Sequence, residues 1–417
     1  MNFRPITIKK QSCFTILILL LVYAGSMLCT AFKKNGADPA GYHLADSLYA
    51  GSSACIKCHK TIYDSFIHTA HNITSRPASL EFIKGKFDNG KNHFRYNPFM
   101  EVLMEKKADG FFQTVYINGE PNQSERMDVV VGSGKNGQTY LYWKDDLLYQ
   151  LPISYHSGTN SWCNSPGYPP GLPRFDRPIV GRCLECHGSR ATIEDAGNSV
   201  NYIDKESIVY GVDCERCHGP AAEHVAFHTA HPEEKIATYI LNQKTLSRQQ
   251  KLDLCALCHS GGRNATKPAF SYKIGDKLED FSLPGYNTDS VAMLDVHGNQ
   301  YGLLTSSKCF KTSQQMNCSS CHSVHGREVN QPALFSQRCI NCHNTGSKKE
   351  CTVKPTAGIV LSDNCIDCHM PFLPSKAILL QLEDKSTSTP DFIRTHRIAI
   401  YPEITEQFIH KSKGKDK

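Results

Sequence analysis

The chain has 417 residues, a formal net charge of +6, 40% hydrophobic residues and a mean hydropathy of −0.39. Its basic residues are dispersed outside the C-terminal tail, which excludes the continuous cationic stripe of a nucleic-acid binder. It carries 19 Cys and 19 His, and its apolar content is low for a chain of this length to be held by aliphatic packing alone.

In chain order, Arg4, Lys9 and Lys10 precede the apolar run FTILILLLVYAGSMLCTAF. A positive start followed by such a run is an export signal, and this one is long enough to span a bilayer if it is not cleaved. Residues 1–31 therefore read as a signal peptide or an N-terminal membrane anchor. Either places the remainder on the outer side of the cytoplasmic membrane or in the periplasm. Residues 32–84 hold the first Cys-x-x-Cys-His motif. Residues 85–155 predict a small antiparallel β insertion of four to six strands: FFQTVYI lies between Asp109-Gly110 and Asn118-Gly119, both hairpin signals. Residues 156–270 open with a Pro- and Gly-rich loop and carry motifs two to four. Within them, EEKIATYILNQKTLSRQQKLDLC (233–255) is the clearest helical pattern outside the motifs. A connection, 271–306, leads to motifs five to seven in 307–375. A C-terminal extension, 376–417, ends in a Lys-rich tail. The fold expected is mainly α and irregular, with low regular secondary structure apart from the β insertion.

Fourteen of the cysteines fall into seven copies of one pattern. They are Cys55/Cys58/His59, Cys183/Cys186/His187, Cys214/Cys217/His218, Cys255/Cys258/His259, Cys318/Cys321/His322, Cys339/Cys342/His343 and Cys365/Cys368/His369. Two thiols at this spacing reach the two vinyl groups of one haem, and the following His lies under its iron. A disulfide framework would not place His after every second Cys, and zinc ribbons do not require it either. The expectation is seven covalently attached c-type haems. The porphyrins would supply the apolar surface and staples that the composition lacks. Of the other cysteines, Cys13 and Cys29 lie in the apolar run. A disulfide among Cys163, Cys309 and Cys351 stands beside plain buried thiols as the alternative.

Each low-spin haem takes a sixth ligand, and the spare histidines suffice to supply one to every iron. His68 and His71 follow the first motif in TIYDSFIHTAH, a helical pattern with both on one face. In GVDCERCHGPAAEHVAFHTAH, Pro220 falls in the first turn of a short helix. His224, His228 and His231 then share a face. They cannot all serve the haem of their own motif, so at least one, His224 foremost, is expected to reach the iron of another. His325 sits just behind His322, His297 lies in the connection, and His396 follows the last motif. His43, His93, His156 and His410 have weaker cases, and Met370 is poorly placed to return to its own haem.

With these motifs laid out, the chain resembles the cytochrome c554-like multihaem family, in the wider group with pentahaem nitrite reductase and hydroxylamine oxidoreductase. ACIKCHKTIYDSFIHTAH, GVDCERCHGPAAEHV, CSSCHSVHG, CIDCHMP and THRIAIY carry the resemblance. It implies distal ligation by His71, His224, His325 and His396, and extends to His228 and His297. All seven motifs here end in His, so the Lys-ligated catalytic haem of the nitrite reductases is absent in its usual form.

Two functions follow. One is an exported heptahaem cytochrome that carries electrons through closely packed, mostly bis-His haems, served by redox partner proteins or a quinol-linked membrane donor. The other is an oxidoreductase acting on a small nitrogen or sulfur species (nitrite, hydroxylamine, tetrathionate type) at one open haem, with His156, Arg174 and Arg177 as pocket residues to inspect. The uniform motif favours the first. Nucleic acid is not an expected partner.

Overall fold

The computed structural model describes residues 46–413, apart from short stretches at 196, 198–199, 286–289, 344–350, 352, 354–359, 384 and 386. The apolar N-terminal run lies outside them, together with Cys13, Cys29 and His43. None of the described helices is long and apolar enough to cross a membrane. Leu44–Lys417 form one compact unit.

The expectation of a mainly α chain fails. Among the described residues ten short α-helices are accompanied by nineteen strands, and strand makes up 26%. Eleven of these strands lie between Ser75 and Pro178, more than the four to six expected. They are β1 (Ser75–Pro77), β2 (His93–Asn97), β3 (Met100–Lys107), β4 (Gly110–Ile117), β5 (Glu120–Arg126), β6 (Val129–Val131), β7 (Gly137–Lys144), β8 (Leu147–Gln150), β9 (Ile153–His156), β10 (Ser161–Asn164) and β11 (Arg177–Pro178). β2–β5 form a four-stranded antiparallel meander, and the other seven form a second sheet built around β7. The β4–β5 turn is the predicted one: Asn118 and Gly119 both have positive φ, 53° and 85°, as a two-residue hairpin turn that follows the strand twist requires.

Period-two alternation explains how the second sheet is covered on both faces. Val130, Tyr140 and Tyr142 point into a core shared with Phe94, Val102, Met104 and Val115 of the meander. Their neighbours Val129 and Leu141, with Leu148, point the other way. That face packs on Leu184, which lies inside the second motif, and on Ile203 and Phe270. The β-structure is thus a platform on which the second motif is seated.

Helical periodicity misjudged two places. In 233–255 the helix begins only at Arg248. Tyr239 has φ 58°, Asn242 caps a 3-10 turn at Gln243–Thr245, and Ser247 with Gln250 forms a capping box that starts the helix afresh. After the first motif, the helix Ser52–Phe66 stops before His68 and His71. Thr69 turns the chain there, its hydroxyl donating to Phe66 O (2.7 Å) and accepting from Asn72 N. The two histidines therefore do not share a helical face.

The core of the platform leaves no room beside Trp162. Its indole N–H donates to Lys86 O and Lys91 O, and a Cβ at Gly85 would lie 2.0 Å from the ring. Gly85→Ala is expected to lower the denaturation midpoint of the β-structure, by about 1–3 kcal/mol of overpacking. Far-UV circular dichroism in denaturant checks this, with haem absorbance unchanged.

Candidate functional site

Most of the motifs open or close a short helix. Gly181–His187, Cys214–His218, Arg248–His259 and Cys365–His369 each end on the motif histidine. The helix Pro332–Ile340 runs into the sixth motif, and the fifth starts a 3-10 turn at Cys318–Ser320. The first lies within Ser52–Phe66, where His59 departs from helical geometry (φ −111°, ψ 34°). A helical turn puts the two cysteines of a motif, three residues apart, on one face. Local caps fix these turns: Asp213 accepts from Arg216 N, and Asn317 forms a capping box with Ser320.

Three motif histidines meet a histidine from a distant segment. The ring centres of His259 and His71 are 6.0 Å apart. Those of His218 and His325 are 6.0 Å apart and nearly parallel. Those of His322 and His396 are 6.1 Å apart. A metal held about 2 Å from one nitrogen of each ring puts the ring centres about 6 Å apart. Among the described residues no group of three or more His, Cys, Asp or Glu converges as a site for a bare ion. Rings that meet two by two, beside paired cysteines, suit an iron whose remaining nitrogens come with a covalently anchored macrocycle. Burial pushes His71 down to about 4, with His259 and His322 adding, and His396 likewise to about 4. It also lowers His187, His218, His259, His297, His322 and His325. Desolvation thus keeps these rings in the neutral form that ligates metals.

The first and sixth motifs each carry an exposed cysteine and histidine, Cys58 and His59 in the first and Cys342 and His343 in the sixth. The reasons are local. Phe66 is the only buried residue of the helix Ser52–Phe66, so Cys58, one turn after the half-buried Cys55, comes out on a face that nothing in the polypeptide covers. In the sixth motif the helix ends at Ile340, with Asn341 as its C-cap, so Cys339 is held inside it while Cys342 and His343 fall beyond its last turn. Backbone bonds keep both near Cys339, Cys342 N and His343 N donating to Cys339 O at 3.1 and 3.0 Å. Cys183 of the second motif is exposed as well.

Hydrogen bonds orient other rings. His369 Nδ1 donates to Ala399 O (2.8 Å) and His224 Nδ1 to Thr238 O (2.7 Å), which leaves Nε2 as the free nitrogen in each. His187 Nδ1 is 3.1 Å from Thr74 Oγ1, and His297 is close enough to His187 to lower it further. His228 lies 4.6 Å from His224, and its buried Nε2 has no hydrogen-bond partner. The helix carrying these two is Ala222–Ala230, with Ala221 rather than Pro220 at its boundary. His231 is its C-cap, with φ −128° and ψ 69°; it leaves the shared face and packs on Phe227, beside Glu233.

The structure also brings motifs together. Cys55 lies beside Cys214, Cys186 beside Cys258, and Cys255 beside Cys318. Cys186 Sγ lies 4.0 Å from Leu257 O and Cys258 Sγ lies 3.9 Å from Glu185 O, so the second and fourth motifs face each other. Beside the third motif is a cavity of about 670 Å³, lined by His218, Tyr49, Arg216, Tyr239 and Tyr272 among others.

Sequence reasoning missed the residues between and beside the cysteines. Glu215 accepts from Ala50 N, Gly51 N and Ala221 N, all at 2.9 Å, which ties the third motif to the start of the first motif's helix. Ser52 donates to Asp213 at 2.7 Å in the same joint. Arg394 Nη2 lies 2.8 Å from Asp367 Oδ1, and Nη1 donates to Ile366 O and Met370 O. Arg338, just before Cys339, pairs with Glu328 and donates to Cys321 O, joining motifs five and six. That guanidinium holds the Glu328 carboxyl down at about 2. The available signal was charge inside CLECH, CERCH and CIDCH, at positions the attachment chemistry leaves free.

The residues marked for an open pocket do not converge on one. Arg174 pairs with Asp176, and Arg177 donates to Gln150 Oε1 and Pro166 O. His156 takes up Thr159 through Nδ1 and lies 3.3 Å from Asp391 through Nε2. His93 is 3.2 Å from Glu383. Cys163 is a buried thiol of β10, pushed up to about 12 by burial.

Residues 176–219, which span the second and third motifs, match the family model "Cytochrome c554 and c-prime". The multiheme cytochrome MtrA of Shewanella baltica (strain OS185) is 26% identical over 196 residues, 45% of this chain and 51% of that protein. The match thus spans about half the length of that curated relative. The crystal structure of the outer cell wall cytochrome OcwA aligns with a TM-score of 0.49 at 15% identity, covering 86% of this chain and 81% of that one. In its attachment motifs and in the first two of these likenesses, the chain is similar to multihaem c-type cytochromes.

Proposed function

We propose that the chain is an exported heptahaem electron-transfer protein whose irons are mostly closed by two histidines. The observation that carries this is the set of three histidine pairs, His259–His71, His218–His325 and His322–His396, at ring distances of 6.0, 6.0 and 6.1 Å. Each joins a motif ring to a ring from another segment. His297 is assigned to the second motif on its proximity to His187. His224, with its Nδ1 tied to Thr238, is assigned to a motif other than its own, with His228 beside it. When bound, each haem supplies a one-electron Fe(III)/Fe(II) couple, and two imidazoles bias it toward low potential. The chain does the rest. The paired rings would hold an iron from both sides and leave no place on it for a substrate. Glu215, Arg338 and Arg394 hold neighbouring motifs in contact. The burial that keeps the paired histidines neutral also keeps water from their irons.

In this reading, residues 1–31 deliver the protein to the periplasmic side or anchor it there. Redox partner proteins, or a quinol-linked donor at the membrane, load and unload it. The exposed attachment residues Cys58 and His59, and Cys342 and His343, make the first and sixth motifs the places where such a partner can approach.

The oxidised holoprotein is expected to show low-spin haems by electron paramagnetic resonance and no spectral change with nitrite or hydroxylamine. A high-spin haem that binds either one would refute the proposal. His71→Ala, His325→Ala and His396→Ala are each expected to retain seven haems by mass while converting one to high spin. His224→Ala should do the same; an unchanged low-spin spectrum in any variant removes that residue from the ligand set.

A further inference from the structure

The second and fourth motifs face each other across a small cluster of buried charge. Glu185 lies between Cys183 and Cys186, and Arg216 lies between Cys214 and Cys217 of the third motif. Arg182 precedes Cys183, and Leu257 lies between Cys255 and Cys258 of the fourth. Glu185 Oε2 accepts from Arg182 Nη1 at 2.5 Å, and its Oε1 accepts from Phe270 N at 2.9 Å. Arg182 Nη2 donates to Leu257 O. Arg216 Nη2 donates to Glu185 O at 3.0 Å, lies 4.0 Å from the Glu185 carboxylate, and its guanidinium stands over the Phe270 ring at 5.2 Å. The side chains of Glu185 and Arg216 are only 8% and 11% exposed, so water screens them little. The buried carboxylates of Asp213 and Glu215 flank Arg216: Asp213 accepts from Arg216 N and from Ser52, and Glu215 accepts from Ala50 N, Gly51 N and Ala221 N.

Two guanidinium groups thus share the Glu185 carboxylate where three motifs converge. The same place is a junction. The fourth motif touches the second through Cys258 and the fifth through Cys255, and the third through the nearness of Cys255 to Cys217. A reduced haem carries one electron more than an oxidised one, so fixed positive charge stabilises the reduced form and fixed negative charge the oxidised form. Attachment needs neither Glu nor Arg at these positions, and burying such a cluster is costly unless every charge is paired and bonded.

We propose that Arg182, Glu185 and Arg216 form a potential-setting node, in which the two guanidinium groups raise and the Glu185 carboxylate lowers the reduction potentials of the haems on the second and fourth motifs. This rests on the electron-transfer reading above. The node biases a one-electron exchange in which one iron is oxidised as its neighbour is reduced, with no bond made and no proton moved.

The test is a spectroelectrochemical titration of the mature holoprotein, with haem number confirmed by mass. Arg216→Gln should shift part of the titration to lower potential, and Glu185→Gln should shift part of it to higher potential. Arg216→Lys and Glu185→Asp, which keep the charge, should stay close to the wild-type curve. Equal shifts in Arg216→Gln and Arg216→Lys would overturn the proposal, because lost contacts and not lost charge would then be the cause. Unmoved potentials in Arg216→Gln or Glu185→Gln would overturn it as well. So would failure of both Arg216 variants to mature, which would make the node a determinant of folding alone. A high-spin haem that binds nitrite would instead refute the electron-transfer reading and leave these shifts as they are.

Discussion

The meeting of two neutral imidazoles about 6 Å apart is the constraint on which the arrangement of this molecule depends. Each paired ring is useful only if it is buried, oriented and matched to a partner from elsewhere in the chain. Burial is expensive for a group that can ionise, and desolvation answers that cost by holding the ring neutral. Orientation comes from backbone carbonyls such as Thr238 O and Ala399 O. Matching comes from the charged residues around the cysteines, which fix how one motif sits against the next.

These charged contacts are unusual in being almost all interior. An exposed ion pair adds little to stability, whereas breaking one member of a buried set strands the other. Glu215, bonded to three backbone N–H groups, is a carboxylate enclosed by donors, and nothing short of those donors would tolerate it there. The motifs therefore carry two messages in the same five residues. Cysteine and histidine specify attachment, and the two intervening residues specify neighbours.

Much of this was legible in the sequence, for physical reasons that differ from element to element. Attachment motifs are local, so spacing alone identifies them. Spacing does not say how deeply a motif is seated: Cys342 and His343 carry the same pattern as the half-buried Cys217 and His218, yet they lie past a helix end and are exposed. The Asn118-Gly119 turn is also local, because only a few residues tolerate positive φ at both positions. The extent of the β-structure was not legible: β1, β10 and β11 are short, and β11 contains a proline, so none has the alternating run that identifies a strand. The helical reading of 233–255 failed because periodicity does not register a residue such as Tyr239, held at positive φ. That His71 would stand beside His259 rather than share a helix face with His68 depends on the Thr69 turn. A side chain that caps its own backbone leaves only a faint mark on composition.

The histidine pairs are written across the chain out of order. His71 follows the first motif but meets the ring of the fourth, and His396 lies beyond the last motif but meets the ring of the fifth. A polypeptide that emerges from its N terminus cannot close these pairs as it appears. The first segment must wait for the fourth motif, and the fifth motif must wait for nearly the whole chain. Biogenesis therefore passes through stages in which a motif ring stands without its partner, open to water and to small molecules. Of the three pairs, His322–His396 is the last that can close, because His396 follows every other paired ring in the chain.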